Sequence, residues 1–439
     1  MQTSAPGVAA DHARQIQPRG LRRVVAAAFI GSALEWYDFS IYGTASALVF
    51  SDLFFPKVDA KLGLLAAVGT YAIGFCARPI GAVFFGHLGD RYGRKGVLLA
   101  TIVLMGAATF AIGVLPTYRQ IGFWAPVLLL VLRILQGFGG GAEQAGASLV
   151  CAEFAPAKRR GLIASLAFAG IILGTLLAAL VFSWVANLPQ GTLYAWGWCV
   201  PFLLSAVVIA IGIYIRVGLR ESPAFEHVKE ADDVASNPIG DAVRSEGRRI
   251  LSVLGLRIGE NGTSYLVSVL ALSYVAHTLR MGGPVGAQAL VVSSAVGLVL
   301  LPFWGWLSDL VGRRPVFRYT ALFLALFAFP FVWLLDTRVP WLVYSAFTLA
   351  MTVGVWGMYS VEAAYFPELF RARHRYSALA ISKEIGAVLG GGLAPVLGAA
   401  LLLWAGGWAL AAYIVVLGGI SFASTFTVPE TKGRDLTAG

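Results

Sequence analysis

The chain has 439 residues, of which 58% are hydrophobic and only 13% charged. Soluble globular proteins carry about twice that share of charge, so a disordered, fibrous or ordinary soluble protein is excluded. The formal charge of +10 would suit a nucleic-acid binder, but the placement of the charges decides otherwise.

A membrane-spanning helix needs about 20 mostly apolar residues. Twelve such runs are predicted, at 24–50, 62–86, 97–115, 124–150, 161–186, 197–217, 250–278, 286–308, 317–335, 340–364, 375–402 and 405–428. Residues 1–23 lack the apolar core and cleavage site of a signal peptide and read as a cytoplasmic tail. Of the 33 Lys and Arg, 24 fall at the two termini, in the central linker and in alternate loops on that side. Five lie on the other side and four, Arg78, Arg133, Arg257 and Lys383, lie inside predicted helices. Basic loops stay cytoplasmic, so both termini are expected inside the cell (inner) membrane. The basic charge is a topology signal, and no nucleic acid is expected as a partner. Cys76, Cys151 and Cys199 sit in or beside apolar runs, with neither disulfide nor zinc spacing.

Residues 218–249 are polar and divide the chain into a six-helix half at 24–217 and another at 250–428, followed by a cytoplasmic tail at 429–439. Three patterns recur across the divide. Gly86-His-Leu-Gly-Asp90-Arg91-Tyr-Gly93-Arg94-Lys95 matches Gly305-Trp-Leu-Ser-Asp309-Leu-Val-Gly312-Arg313-Arg314, an offset of 219. Phe154-Ala-Pro156 with Arg160 matches Phe366-Pro367 with Arg371, and Arg220-Glu221-Ser-Pro223 matches Pro429-Glu430-Thr-Lys432, at offsets of 211 and 209. Two related halves around a central site is a plan common among secondary transporters.

The loop at 86–95 and its weaker copy at 305–314 resemble the signature of the major facilitator superfamily. Within that superfamily the chain resembles the metabolite:proton symporters, which carry shikimate, citrate, 2-oxoglutarate and proline or betaine. The resemblance rests on Glu35-Trp-Tyr-Asp38-Phe39, Arg78-Pro79-Ile-Gly81, Arg133-Ile-Leu-Gln136-Gly137, Ala152-Glu153-Phe-Ala-Pro156, Trp196-Gly-Trp198, Glu260-Asn261 and Gly390-Gly-Gly392. It implies an all-α integral membrane protein of twelve helices in two pseudo-symmetric halves. Helices one, four, seven and ten would line the cavity. Two positions depart from the family pattern: Cys199 where Arg is usual after Trp-Gly-Trp, and Phe168 where helix five often has Gln. Losing a cation and an amide tilts the expected substrate towards a less polar aromatic or alicyclic monocarboxylate.

Ionisable groups inside a bilayer are expensive, which makes each a functional candidate. Six acids (Glu35, Asp38, Glu143, Glu260, Glu362, Glu384) face four bases within the predicted helices, so at least two acids are expected to lack a basic partner. Desolvation favours the protonated form of such an acid, a reason to expect proton coupling at Asp38, Glu35 or Glu260. At about 1.5 Å per residue Glu35 and Asp38 lie roughly 20–24 Å from Arg22, near the midplane or beyond it. Arg257, Glu260, Asn261 and Ser264 form one stripe on helix seven, Arg133 and Gln136 share a face of helix four, and Trp356 and Tyr359 share one on helix ten. Arg133 and Arg257 would attract a substrate carboxylate, with Asn261, Gln136, Tyr37, Tyr42, Tyr265, Trp356 and Tyr359 around it.

Asp90, Arg91, Arg94, Glu153, Asp309, Arg313 and Glu362 are expected to form a cytoplasmic gate, Asp90 and Asp309 accepting hydrogen bonds from neighbouring helix N-termini and Glu153 and Glu362 forming salt bridges. Lys383 and Glu384 are adjacent and so point to different faces, which suits pairing with another helix, and Arg78 suits either a gate or a reach back to the interface. Gly139-Gly140-Gly141 and Gly390-Gly391-Gly392 lack the Lys-Ser/Thr of a phosphate loop and read as close helix packing. No nucleophile–base pair or metal cluster appears, so neither an enzyme nor a cofactor or metal is expected. The whole reads as a proton-coupled importer of a small organic acid that works as a single chain in the lipid bilayer. The alternative is a proton-coupled exporter of amphipathic compounds.

Overall fold

The computed structural model describes residues 18–56, 60–92, 94–141, 143–217, 238–371, 375–434 and 436. Among these residues the chain is almost entirely helical, without a strand. Buried backbone amides in lipid must find partners within their own segment, and the apolar runs meet that demand as rods. They are α1 (Pro18–Leu48), α2 (Ala60–Tyr92), α3 (Arg94–Gly113), α4 (Trp124–Gly140, resumed at Glu143–Phe154), α5 (Arg160–Val185) and α6 (Cys199–Val217). After the linker come α7 (Pro238–Tyr265, extended by Leu266–Ala271 and Tyr274–Thr278), α8 (Gly283–Val311) and α9 (Arg313–Asp336). The last three are α10 (Pro340–Leu349, Ala350–Val355 and Trp356–Leu369), α11 (Arg375–Gly386, Ala387–Leu393 and Ala394–Ala405) and α12 (Gly407–Ser424).

The largest difference from the sequence expectation is at helix seven. Helix seven begins at Pro238 rather than at 250: the stretch 238–249 is charged yet helical, because a helix that leaves the membrane needs no apolar face all round. Helix four is seen as Trp124–Gly140 and Glu143–Phe154, with Gly141 between them in helical dihedrals and residue 142 outside the described residues. The last part of α7 and the middle parts of α10 and α11 are π-helical, an irregularity that clusters at functional sites.

Eight helices among the described residues are long and apolar enough to cross a membrane, including Ala157–Val185, Pro284–Val311 and Ala378–Ala405. Leu99–Gly113 and Trp124–Gly140 are apolar but shorter. Neither α1 nor α7 is among the eight, and both carry charge in their interior: Glu35 and Asp38, Arg257 and Glu260. Large apolar side chains such as Val299, Leu326 and Trp333 stand exposed on the outside, as lipid contact requires.

Without a hydrophobic drive between helices in lipid, small residues and close packing hold such rods together. A Cβ on Gly170 of α5 would lie 1.9 Å from the carbonyl oxygen of Phe29 on α1. One turn on, Gly174 meets Ala33 in the same way. The crossing of α5 with α8 is reciprocal, Gly161 lying against the Gly305 carbonyl and Gly305 against that of Gly161. The glycine runs serve the same end, Gly141 packing on the Arg78 carbonyl and Gly390 on the Gly262 amide.

Gly170→Val should therefore destabilise the protein by about 1–3 kcal/mol through overpacking, read as a lower melting temperature in detergent. Gly419→Ala on α12, where a Cβ meets nothing within 4 Å, should leave the melting temperature unchanged. Equal melting temperatures for both variants would contradict the close α1–α5 crossing.

Candidate functional site

At one end of the rods a set of charges ties the first six helices to the last six. Both carboxylate oxygens of Asp309, at the end of α8, accept from the α5 N-terminus: Gly161 N–H to Oδ1 and Leu162 N–H to Oδ2, each at 2.9 Å. The first turn of a helix carries free N–H groups and the positive end of the helix dipole, so an acid is the natural partner there. Arg313 holds Asp309 from the other side at 2.8 Å and reaches Glu368 of α10 at 3.3 Å. Glu368 also takes Arg160 of α5 at 3.0 Å. The tail joins in, with Glu430 accepting from the Arg313 and Arg314 amides and Thr431 donating to Glu368. Glu153 pairs with Arg375 at 3.5 Å. Of the expected gate residues, Asp309, Arg313 and Glu153 lie here, while the side chains of Asp90, Arg91 and Arg94 fall outside the described ones.

Glu362 does not join this latch. It lies deeper, where Arg257 of α7 approaches its two oxygens at 2.6 and 2.7 Å and Lys383 of α11 sits at 3.1 Å. Glu260 takes Arg257 at 3.2 Å, making a buried cluster of two bases and two acids. A second cluster centres on Arg78 of α2, which bridges Glu35 of α1 and Glu384 of α11, each at 2.9 Å. Arg78 therefore turns inward and joins the two sets of helices rather than reaching for the interface.

Two charges stay outside both clusters. Arg133 of α4 is fully buried and has no carboxylate within 4 Å among the described residues. Instead its guanidinium lies over the rings of Tyr42, Tyr71 and Phe39 at 4.2, 4.6 and 4.7 Å. Such ring faces attract a desolvated cation without neutralising it. Among the described residues Asp38 likewise has no basic partner; its Oδ2 accepts from the Thr109 hydroxyl at 3.1 Å and its Oδ1 has no hydrogen-bond partner there. A chain of donors links the two. Arg133 donates to Gln136 Oε1, Gln136 donates to the Thr109 hydroxyl at 2.7 Å, and Thr109 donates to Asp38.

A narrow cleft lies on the side of these groups away from the latch. Its enclosed space is about 30 Å³, room for a water or two in this conformation, so a substrate would enter only as the walls part. Aromatic faces dominate its wall, with Trp36, Phe39, Tyr71, Tyr265, Trp356 and Tyr359 contributing. Hydroxyls of Ser40, Thr44, Thr175, Ser264 and Ser268 and the carboxylate of Glu260 supply polarity. Trp36 of α1 stacks on Tyr265 of α7 at 5.9 Å, and Phe168 of α5 stacks on Tyr359 of α10 at 4.7 Å.

The structure thus places Glu260, Tyr265, Trp356 and Tyr359 on the cleft wall, and Arg133, Gln136 and Tyr42 one layer behind Phe39 and Tyr71. Arg257 lies in its ion cluster and does not line the cleft. Tyr37 points to α6, donating to the Pro201 carbonyl at 2.7 Å, and Asn261 packs against Gly390 and Gly391 of α11. Sequence reasoning missed Tyr71, Thr109 and Glu368. Tyr71, Phe75 and Arg78 form an i, i+4, i+7 stripe that the same argument used for helix seven would have found. Thr109 is one hydroxyl in an apolar run and gives no such signal.

Comparison with known proteins agrees with this architecture. The family described as Sugar (and other) transporter matches residues 24–241, and the Major Facilitator Superfamily matches 258–438. The shikimate transporter of Escherichia coli is 35% identical over 418 residues, covering 94% of this chain and 95% of the relative. The proline/betaine transporter of the same organism is 34% identical over 95% of this chain and 85% of its own length. The E. coli xylose transporter XylE, in a partially occluded inward-open conformation, superposes with a TM-score of 0.71 at 17% identity, over 95% of this chain and 99% of its own. That likeness shows the fold. The chain belongs to the major facilitator superfamily and is a multi-pass membrane transporter, not an enzyme.

Asp309→Ala should remove two helix-end hydrogen bonds and one ion pair at once, shifting the population towards opening at the latch end. In a cysteine-free background, single cysteines below the cleft on the latch side should label several-fold faster. An unchanged labelling ratio between the two faces would leave the latch without a gating role.

Proposed function

We propose that the protein imports a small organic acid anion together with protons across the cell membrane, by alternating access between two six-helix halves. All twelve rods then cross the bilayer, with the latch face and both termini cytoplasmic, as the distribution of Lys and Arg supports. A single chain suffices for this reading.

The observation that carries it is Arg133. A buried guanidinium without an acid is costly to maintain, since a charge out of water needs compensation. A substrate carboxylate passing the Phe39–Tyr71 wall would supply it, and bidentate geometry suits that pair. Both relatives described above carry, by name, compounds that bear a carboxylate. Asp38 supplies the proton site: it is buried, lacks a cation and has one oxygen without a partner. Arg133 attracts the ionised form of Asp38 along the Thr109–Gln136 chain. A carboxylate that engages the arginine weakens that attraction, so anion and proton favour each other's binding, which is symport. Glu35 and Glu260 are the next proton candidates, each already beside an arginine.

Uptake into proteoliposomes from a panel of organic acids, with and without an inward proton gradient, tests the reading. Gradient-dependent accumulation of a monocarboxylate is expected. Efflux of amphipathic cations with no acid uptake would favour the exporter. Arg133→Gln should weaken acid binding about tenfold to a hundredfold, the worth of lost charge-assisted hydrogen bonds, while the protein stays folded. Asp38→Asn mimics the protonated acid, so exchange without a gradient should persist and pH-driven accumulation should vanish. Continued uphill uptake by the asparagine variant would move the proton to Glu35 or Glu260.

A further inference from the structure

Phe168 occupies a position that the proposed transport cycle leaves without a task. Its ring is 1% exposed and does not line the cleft. One neighbour is Tyr359, which does line the cleft, stacked at 4.7 Å with 22° between the planes. The other is the Lys383 ammonium, 4.7 Å from the ring centroid. Cleft, Tyr359, Phe168 and Lys383 therefore follow one another in layers.

Lys383 is unusually placed for a buried cation. An ammonium has three N–H donors, and Glu362 takes this one at 3.1 Å through an oxygen that Arg257 also holds at 2.6 Å. The rest of its surroundings include the aromatic face, which attracts a cation but accepts far less than an oxygen. Lys383 thus retains capacity for a second anion, and the rings of Phe168 and Tyr359 stand between it and the cleft.

Charge in the surrounding clusters sharpens the point. Arg257 and Lys383 balance Glu260 and Glu362, and Arg133 is the one fully buried base without an acid among the described residues. One substrate carboxylate satisfies Arg133. A second would enter beside Glu260, which faces the cleft and already holds Arg257, so that Lys383, behind Tyr359 and Phe168, is the cation left with donors to spare. We infer that Phe168 is the specificity-determining residue that restricts the site to monoacids, by sheathing Lys383 from the cleft. This inference rests on the anion reading proposed above.

The test compares binding of butyrate with succinate, and of cyclohexanecarboxylate with cyclohexanedicarboxylate, to the purified full-length protein. Quenching of Trp36 and Trp356, which line the cleft, gives the readout. Phe168→Gln should raise the diacid-to-monoacid affinity ratio about tenfold, the scale of one charge-assisted hydrogen bond. Phe168→Ser is a second polar variant with the same expected direction, should the first fail to fold. Adding Lys383→Met to either should abolish the gain, and Phe168→Leu, apolar and still screening, should show none. A ratio unchanged in both polar variants, or a gain that persists without Lys383, overturns the inference while monoacid binding by the wild type keeps the anion reading. Wild-type protein that binds neither acid of either pair overturns both.

Discussion

A guanidinium stays charged under any condition a cell meets, so a protein that buries one in a membrane must compensate the charge or leave a demand. Arg78 and Arg257 are compensated within the fold, each by two carboxylates. Arg133 receives aromatic rings instead. Cation–π contact is worth a few kcal/mol at most when desolvated, against a burial penalty of several. The imbalance is held in place by helix packing at Gly74, where a Cβ would lie 2.4 Å from the Arg133 side chain. The position of the cleft, the aromatic wall and the relay to Asp38 all make sense around that one uncompensated charge.

The latch and the cleft are consequences of the same economy of polar groups. At the latch end, exposed helix termini can be tied by acids, because water and the polar boundary are near. Asp309 on the α5 N-terminus and Glu430 on that of α9 use the same device. Deeper in, the contacts between the first and last six helices include stacked rings and an ion pair: Trp36 on Tyr265, Phe168 on Tyr359, Arg78 with Glu384. Stacked rings can part and re-form without leaving an unsatisfied donor, which suits a barrier that has to open. The proposed alternating access would separate the hydrogen-bonded end and the stacked middle in turn.

Much of this was legible in the residues. Apolar runs located the rods, and the repeated loop pointed to the superfamily that the relatives then showed. The boundary of α7 was not legible from hydropathy, since residues 238–249 are charged and polar and hydropathy marks only the apolar part of a helix. The charge inventory was legible, but its allocation was not. Counting six acids against four bases predicts at least two acids left over, and Asp38 is one acid outside the ion pairs; the side chain of Glu143 lies outside the described ones. The count could not foresee that Arg78 would hold two acids while Arg133 held none, because pairing depends on which helices face each other. Glu362 shows the same limit: its place in α10 suggested the gate, whereas Arg257 and Lys383 draw it into the core cluster.

Thr109 has a hydroxyl proton and two acceptors in reach, Asp38 Oδ2 at 3.1 Å and the Met105 carbonyl at 2.9 Å. One proton serves one acceptor at a time. In the proposed cycle an ionised Asp38 commands it, while a neutral Asp38 has its own hydrogen to give and releases the hydroxyl to the carbonyl. The rotor then points one way when the transporter is empty of its proton and the other way when it is loaded. Because Gln136 bonds to the same oxygen, that orientation is felt at the arginine without any helix having moved. The cargo site would thus sense the state of its driving ion through the turning of a single C–O bond.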